Sequence, residues 1–213
     1  MQRRTSLGTA SGALALTVLV GACGSSSTKS SASVKPSTTT APKATSTSAP
    51  KVDPNAPEVV APGDIPDTQV FVPYTTAGYT VTVPEGWAQS ITGPTTTYSD
   101  HYNTIRIETA STAAAPTVAT VQSGEVPTLQ RAVPNFELSK VESVNRAAGA
   151  AVLVTYRAGS TPDPVTNKRV ALDVERYEFW RNGTSVTLIL SGARGSDNVD
   201  PWKTVTNSFA WAK

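Results

Sequence analysis

Apolar and hydroxyl residues alternate along Gly78-Tyr79-Thr80-Val81-Thr82-Val83, which predicts a half-buried strand with Tyr79, Val81 and Val83 facing a core. Pro84-Glu85-Gly86 ends it, and Trp87 follows as a large aromatic placed to plug one end of that core. Asn103 to Thr109 repeats the pattern, with Ile105 and Ile107 inward and Arg106 and Glu108 outward. From Pro116 to Val133 the spacing of Val118, Val121, Val126, Leu129 and Val133 changes to a helical one. Gly124 and Pro127 interrupt it. A proline there removes a backbone donor and clashes one turn back, so two pieces or a kink near Ser123 to Val126 is expected. Phe136 to Val144 and Ala150 to Arg157 return to strand character, the second with Val152, Val154 and Tyr156 on one face.

Arg169 to Arg181 and Thr184 to Ala193 flank Asn182-Gly183, a pair suited to a two-residue turn in which both positions take positive φ. If Arg181 faces Thr184, Phe179 pairs with Val186 and Tyr177 with Leu188. Val170, Leu172 and Val174 have the opposite parity from Tyr177 and Phe179. Either a bulge near Glu175 and Arg176 switches faces, or both faces are covered; we expect a doubly covered sheet. Asp200-Pro201 reads as N-cap and first residue of a terminal helix whose stripe is Trp202, Val205, Thr206 and Phe209, with Trp211 packing beyond it. The fold class that follows is α+β: a curved, mainly antiparallel β-sheet flanked by a kinked helix and a terminal helix.

The region before the domain has a different character. Leu7 to Val20 is an apolar run behind Arg3 and Arg4, the build of a secretory signal and too short to span a bilayer. Val20-Gly21-Ala22-Cys23 resembles a bacterial lipobox, which would make Cys23 the lipid attachment point; the bland alternative is a leftover thiol at the end of an ordinary signal peptide. Two acyl chains suffice for stable anchoring, since each buried methylene contributes about 0.8 kcal/mol. Residues 24–66 hold 15 Ser or Thr and seven Pro with almost nothing to bury, so ordering them is not repaid. As a flexible coil they would span about 36 Å. The expected organisation is residues 1–22 as lipoprotein signal peptide, 23–66 as lipidated cysteine and linker, and 67–213 as the globular domain. Its place is then the extracytoplasmic face of the cell membrane.

Cys23 is the only cysteine, so no internal disulfide and no thiolate metal site can form. Residues 67–213 carry a net charge of −1, without the basic footprint that nucleic acid requires.

Phe71-Val72-Pro73-Tyr74, the run Gly78 to Trp87, and the tail Ser191 to Trp211 with Pro201-Trp202 and Asn207-Ser208-Phe209-Ala210-Trp211 resemble actinobacterial lipoproteins of the LpqN/LpqT type, which are similar in fold to the PsbP/Mog1 superfamily. The likeness covers about Thr68 to Lys213. It implies no catalytic triad, and a cell-envelope role in binding lipids, glycolipids or partner proteins near the membrane.

The search for chemistry points the same way. His101 is the only histidine, in the polar stretch Tyr98 to Tyr102, so Ser-His-Asp and two-His metal sites would have to run through it. No Gly-x-Ser-x-Gly, Walker loop or dinucleotide turn is present, and Ser26-Ser27-Thr28-Lys29 matches Ser-x-x-Lys only inside the linker. Asp173 and Glu175 point the same way on a strand, about 6.7 Å apart. They read as a solvated face offset by Arg176 and Arg181, the alternative being a glycosidase pair or a cation site. Gly192 to Asp197 is a glycine-rich connection in which free amides and Arg194 can hold an anionic or sugar head group. We therefore expect no enzyme, cofactor or metal, and a protein that binds a lipid, a glycolipid or a membrane-protein partner such as a transporter, with Arg194, Tyr177, Phe179 and Trp180 as candidate ligand-binding residues. The alternatives are a purely structural lipoprotein with a solid core, or an envelope glycan hydrolase using Asp173 and Glu175.

Overall fold

The computed structural model describes residues 63–162 and 167–213; the expected signal peptide, Cys23, Ser26 to Lys29 and the expected linker up to residue 62 lie outside them. Five strands, β1 (Phe71–Thr75), β2 (Tyr79–Pro84), β3 (Ala88–Thr92), β4 (Thr95–Asp100) and β5 (Asn103–Ser111), precede a helical segment. It runs through α1 (Val118–Thr120), a π-helical turn (Val121–Glu125) and α2 (Val126–Ala132). Four long strands follow, β6 (Glu137–Arg146), β7 (Gly149–Gly159), β8 (Ala171–Arg181) and β9 (Thr184–Ala193), then α3 (Val199–Ser208) and a short β10 (Ala210–Trp211).

Strands β3 to β9 form one seven-stranded antiparallel sheet in the order β3-β4-β5-β9-β8-β7-β6. The β8–β9 hairpin has the expected register, Arg181 opposite Thr184, Phe179 opposite Val186 and Tyr177 opposite Leu188. Both turn residues take positive φ, 50° at Asn182 and 81° at Gly183. Neither ladder of β8 carries a bulge, so its two apolar parities persist on opposite faces, and both faces are covered.

On one face Ile105, Ile107, Leu153, Tyr177, Phe179, Val186, Leu188 and Leu190 pack with Trp202, Val205 and Phe209 of the C-terminal region. The layer is closed by a second, three-stranded sheet, β1-β2-β10, which contributes Tyr79, Val81 and Val83. Phe179 stacks on Phe209 with ring centroids 4.4 Å apart, and Trp87 packs at the border of this core. On the opposite face Val152, Val154, Tyr156, Ala158 and Val174 meet Val121, with Val118, Val126, Leu129 and Val133 from the same helical segment around it.

Pro127 is accommodated by the π turn rather than by a break. The Val126 amide reaches back to the Val121 carbonyl, five residues away, and the helix continues through α2.

Four expectations are corrected. Tyr98 to Asp100, read with His101 and Tyr102 as a polar loop, belong to β4, because Thr96 and Tyr98 are buried on one side of an otherwise polar strand. The terminal helix is capped at Asn198, not Asp200, and Asn198 spends its side chain elsewhere. Phe209, read as part of the helical stripe, is the C-cap just past Ser208, while Trp211 lies beyond the helix as expected, pairing with Tyr79 in β10. The linker boundary also moves: Ile65 is 4% exposed within the first core. Its amide donates to Asn198 Oδ1 at 2.8 Å, while Asn103 Nδ2 and Asn198 Nδ2 both donate to the Gly63 carbonyl, at 3.0 and 3.1 Å. Composition assigned 63–66 to the linker, yet one buried isoleucine and three hydrogen bonds fasten it.

Ile65→Ala should therefore lower stability by about 2–5 kcal/mol, as for other buried aliphatic truncations, read as the urea midpoint of the mature protein. An unchanged midpoint would return these residues to the linker.

Candidate ligand-binding site

The helical segment is shorter than the sheet it covers. At the end of the sheet where β8 begins and β7 and β9 end, it leaves an open cleft of about 470 Å³. Its floor is apolar: Tyr156 and Ala158 from β7, Leu172 and Val174 from β8 and Ile189 from β9, with Val133 at the end of α2 forming a wall. Its rim is polar, with Arg106 of β5, His101 and Tyr102 of the β4–β5 turn, and Lys168. Thr104 Oγ1 and Ser191 Oγ face each other across β5 and β9 at 2.6 Å, so each hydroxyl is satisfied by the other.

Nearer the middle of the same face lies a charged cluster that sequence reasoning did not assemble. Arg176 of β8, with an 11% exposed side chain, is held by three carboxylates. Nη1 lies 3.4 Å from Glu108 of β5, Nε lies 3.4 Å from Glu178 two residues along, and Nη2 pairs with Glu125, the last residue of the π turn. Burial opposes the arginine's charge, but the three acids outweigh it and raise its pKa. Glu178 is 7% exposed. Burial, then the hydrogen bond and charge of Glu125, push its carboxyl up to about 8 against the opposing pull of Arg176. Three acids share one guanidinium, so one of them holds its proton near neutrality. The sequence carried a signal: Arg176 and Glu178 share a parity with Leu172 and Val174, which places them under a cover.

The four residues proposed from sequence do not converge. Tyr177 and Phe179 are 2% and 1% exposed in the first core. Tyr177 donates from its hydroxyl to Glu175 at 2.8 Å, accepts from Arg146 at 2.8 Å, and its pKa is pushed up to about 12 by burial and the Glu175 charge. Trp180 lies on the helix-covered face and donates to the Thr112 carbonyl at 3.1 Å. Arg194 lies at the opposite end of the hairpin, since Leu172 opposes Ala193, about 27 Å from Trp180 along the strand. Alternation separates neighbours in sequence onto two faces, and hairpin length separates the rest.

Asp173 and Glu175 share a face, but Arg176 is on the other side of the sheet and cannot offset them. Asp173 faces Arg157 at 3.8 Å, and Glu175 accepts from Tyr177. His101 is 80% exposed in its side chain, in a left-handed turn (φ 49°), with Asp100 at 3.0 Å. Among the described residues, no group of three His, Cys, Asp or Glu is arranged to hold a metal ion, and no helix is long and apolar enough to cross a membrane.

The Glu178 shift has a definite sign. A carboxyl raised above its ordinary 4.5 keeps in the native state a proton that the unfolded chain has lost. Its contribution is complete below pH 4.5 and falls away as pH rises towards about 8. Glu178→Gln, neutral throughout, should gain stability relative to the wild type steadily over that window in urea titrations. A pH-independent difference between the two proteins would contradict the assignment.

No protein-family model and no curated protein matches this sequence. The backbone is similar to the solution structure of the cyanobacterial PsbP (CyanoP) of Synechocystis, with a TM-score of 0.50 and 16% identity over 70% of this chain and 98% of that one. More distant similarities reach the Ran-binding protein Mog1p of Saccharomyces cerevisiae (TM-score 0.45, 10% identity, 67% of this chain and 95% of that one). They also reach LpqN of Mycobacterium tuberculosis, involved in cell envelope biogenesis (TM-score 0.40, 13% identity, 69% and 93%). At such identities the likeness is one of fold, and the chain carries a PsbP-like α+β fold.

Proposed function

We propose that the chain is an exported lipoprotein of the LpqN/LpqT type, held through Cys23 at the extracytoplasmic face of the cell membrane, whose domain binds a lipid or glycolipid without transforming it. The observation that supports the binding role is the open cleft of about 470 Å³, apolar at its floor and polar at its rim. Its size falls within the roughly 300–1,000 Å³ of small-molecule sites. Burying an aliphatic chain against Leu172, Val174 and Ile189 removes apolar surface that the helical segment leaves wet, at about 25 cal/mol per Å². The hydroxyls nearest the floor are bonded to each other rather than to a base, which favours binding over turnover. The family and the membrane address are supported by the sequence motifs, with Gly63 to Pro66 fastening the chain to the domain where the linker arrives.

Native mass spectrometry of the mature protein from its own host should show co-purifying lipid; a bare protein under mild conditions would argue for a purely structural role. Ile189→Trp, which fills the cleft, should abolish that lipid at a stability cost of no more than about 1–3 kcal/mol. Cys23→Ala should move the protein from the membrane fraction to the soluble one, and unchanged fractionation would end the anchoring proposal.

A further inference from the structure

Strand pairing lays out the helix-covered face of the sheet in rows. Arg106 of β5 opposes Ile189 of β9, which opposes Arg176 of β8. The next row holds Thr104, Ser191, Val174 and Tyr156, and the row after it Leu172 and Ala158. Leu172 stands four residues from Arg176, so the apolar floor runs about 13 Å from the Arg106 row towards the mouth of the cleft. Arg106, Ile189, Val174 and Leu172 share this face and line one cavity, the cleft of about 470 Å³.

The lining of that cleft is charged in one sense only. Arg106, Lys168 and His101 contribute to it, and among the described residues no aspartate or glutamate does. Arg106 closes the inner end. Its side chain is half exposed and pairs through Nη2 with Glu108 Oε1, while Nε and Nη1 make no hydrogen bond or ion pair with the described residues. Glu108 is itself shared, because its other oxygen lies 3.4 Å from Arg176 Nη1. Beside them stands Tyr156, 6% exposed. Burial raises its pKa against the fields of Arg176 and Arg106, so the phenol faces this charged row and keeps its proton at neutral pH. Midway along the floor the Thr104 and Ser191 hydroxyls satisfy each other at 2.6 Å and ask nothing polar of a ligand.

We infer that the cleft takes a free fatty acid, with its carboxylate on Arg106 and its aliphatic chain along Ile189, Val174 and Leu172 towards the mouth. The inference rests on the cleft being a lipid site, and it names the class of lipid. A guanidinium presents several N–H donors, so Arg106 can hold a second carboxylate while it keeps Glu108. The Glu108 charge beside it repels a doubly charged phosphate about twice as strongly as a carboxylate, which selects a single negative charge.

The test uses the soluble Cys23→Ala form of the mature chain and titration calorimetry with three probes: decanoate, decanol and acetate. Decanoate should bind at least about tenfold more tightly than decanol, and acetate should give no measurable heat. Arg106→Gln should bring decanoate down to the decanol value while leaving decanol unchanged; the comparison of the two probes with Arg106 in place stands even where that variant fails to fold. Equal affinity for decanoate and decanol overturns the carboxylate assignment and leaves the cleft reading intact. A preference that survives Arg106→Gln and disappears in Lys168→Gln puts the head group at the mouth and overturns its placement on Arg106. Acetate binding as tightly as decanoate shows a site for free anions and overturns the fatty acid. Binding of neither decanoate nor decanol overturns the cleft reading and this inference with it.

Discussion

The central strands are apolar on both faces, and that constraint organises the molecule. Ala151, Leu153, Tyr177, Phe179, Leu188 and Leu190 point one way, while Val152, Val154, Tyr156, Leu172 and Val174 point the other. A sheet of this kind is stable only under two covers, since each such side chain contributes about 1.5–3 kcal/mol when fully buried. The C-terminal helix with the small sheet provides one cover. The segment through α1, the π turn and α2 provides the other, and it has to pass Gly124 and Pro127 to do so. The widened turn keeps that segment continuous, and its limited length leaves the end of the sheet open. The open cleft is thus the part of the second core that the helical cover does not reach.

Within that second layer the protein tolerates a costly feature. Arg176 and three carboxylates occupy positions where apolar residues would pack without a desolvation penalty. The arrangement ties β5, β8 and the π turn to one guanidinium, so the cover has one placement on the sheet rather than a range of sliding ones. Glu125 reaches Arg176 from the end of the π turn, which connects the backbone irregularity to the electrostatics. The shared proton on Glu178 is the consequence of three acids meeting a single cation.

Much of the fold was legible in the sequence because periodicity is local. Alternation marked β2, β5, β7 and the β8–β9 hairpin, Asn182-Gly183 set its register, and the mixed parity of β8 announced a second cover. Tertiary structure decided what depends on residues distant in the chain: β4 and β10, which carry little apolar signal of their own; the fastening of Ile65 by Asn103 and Asn198; and the meeting of Glu108, Glu125 and Glu178 on Arg176. It also buried Tyr177 and Phe179, which sequence offered to a ligand. Period names the face on which a side chain stands, but only the packing of covers onto that face decides whether it meets core, partner or solvent.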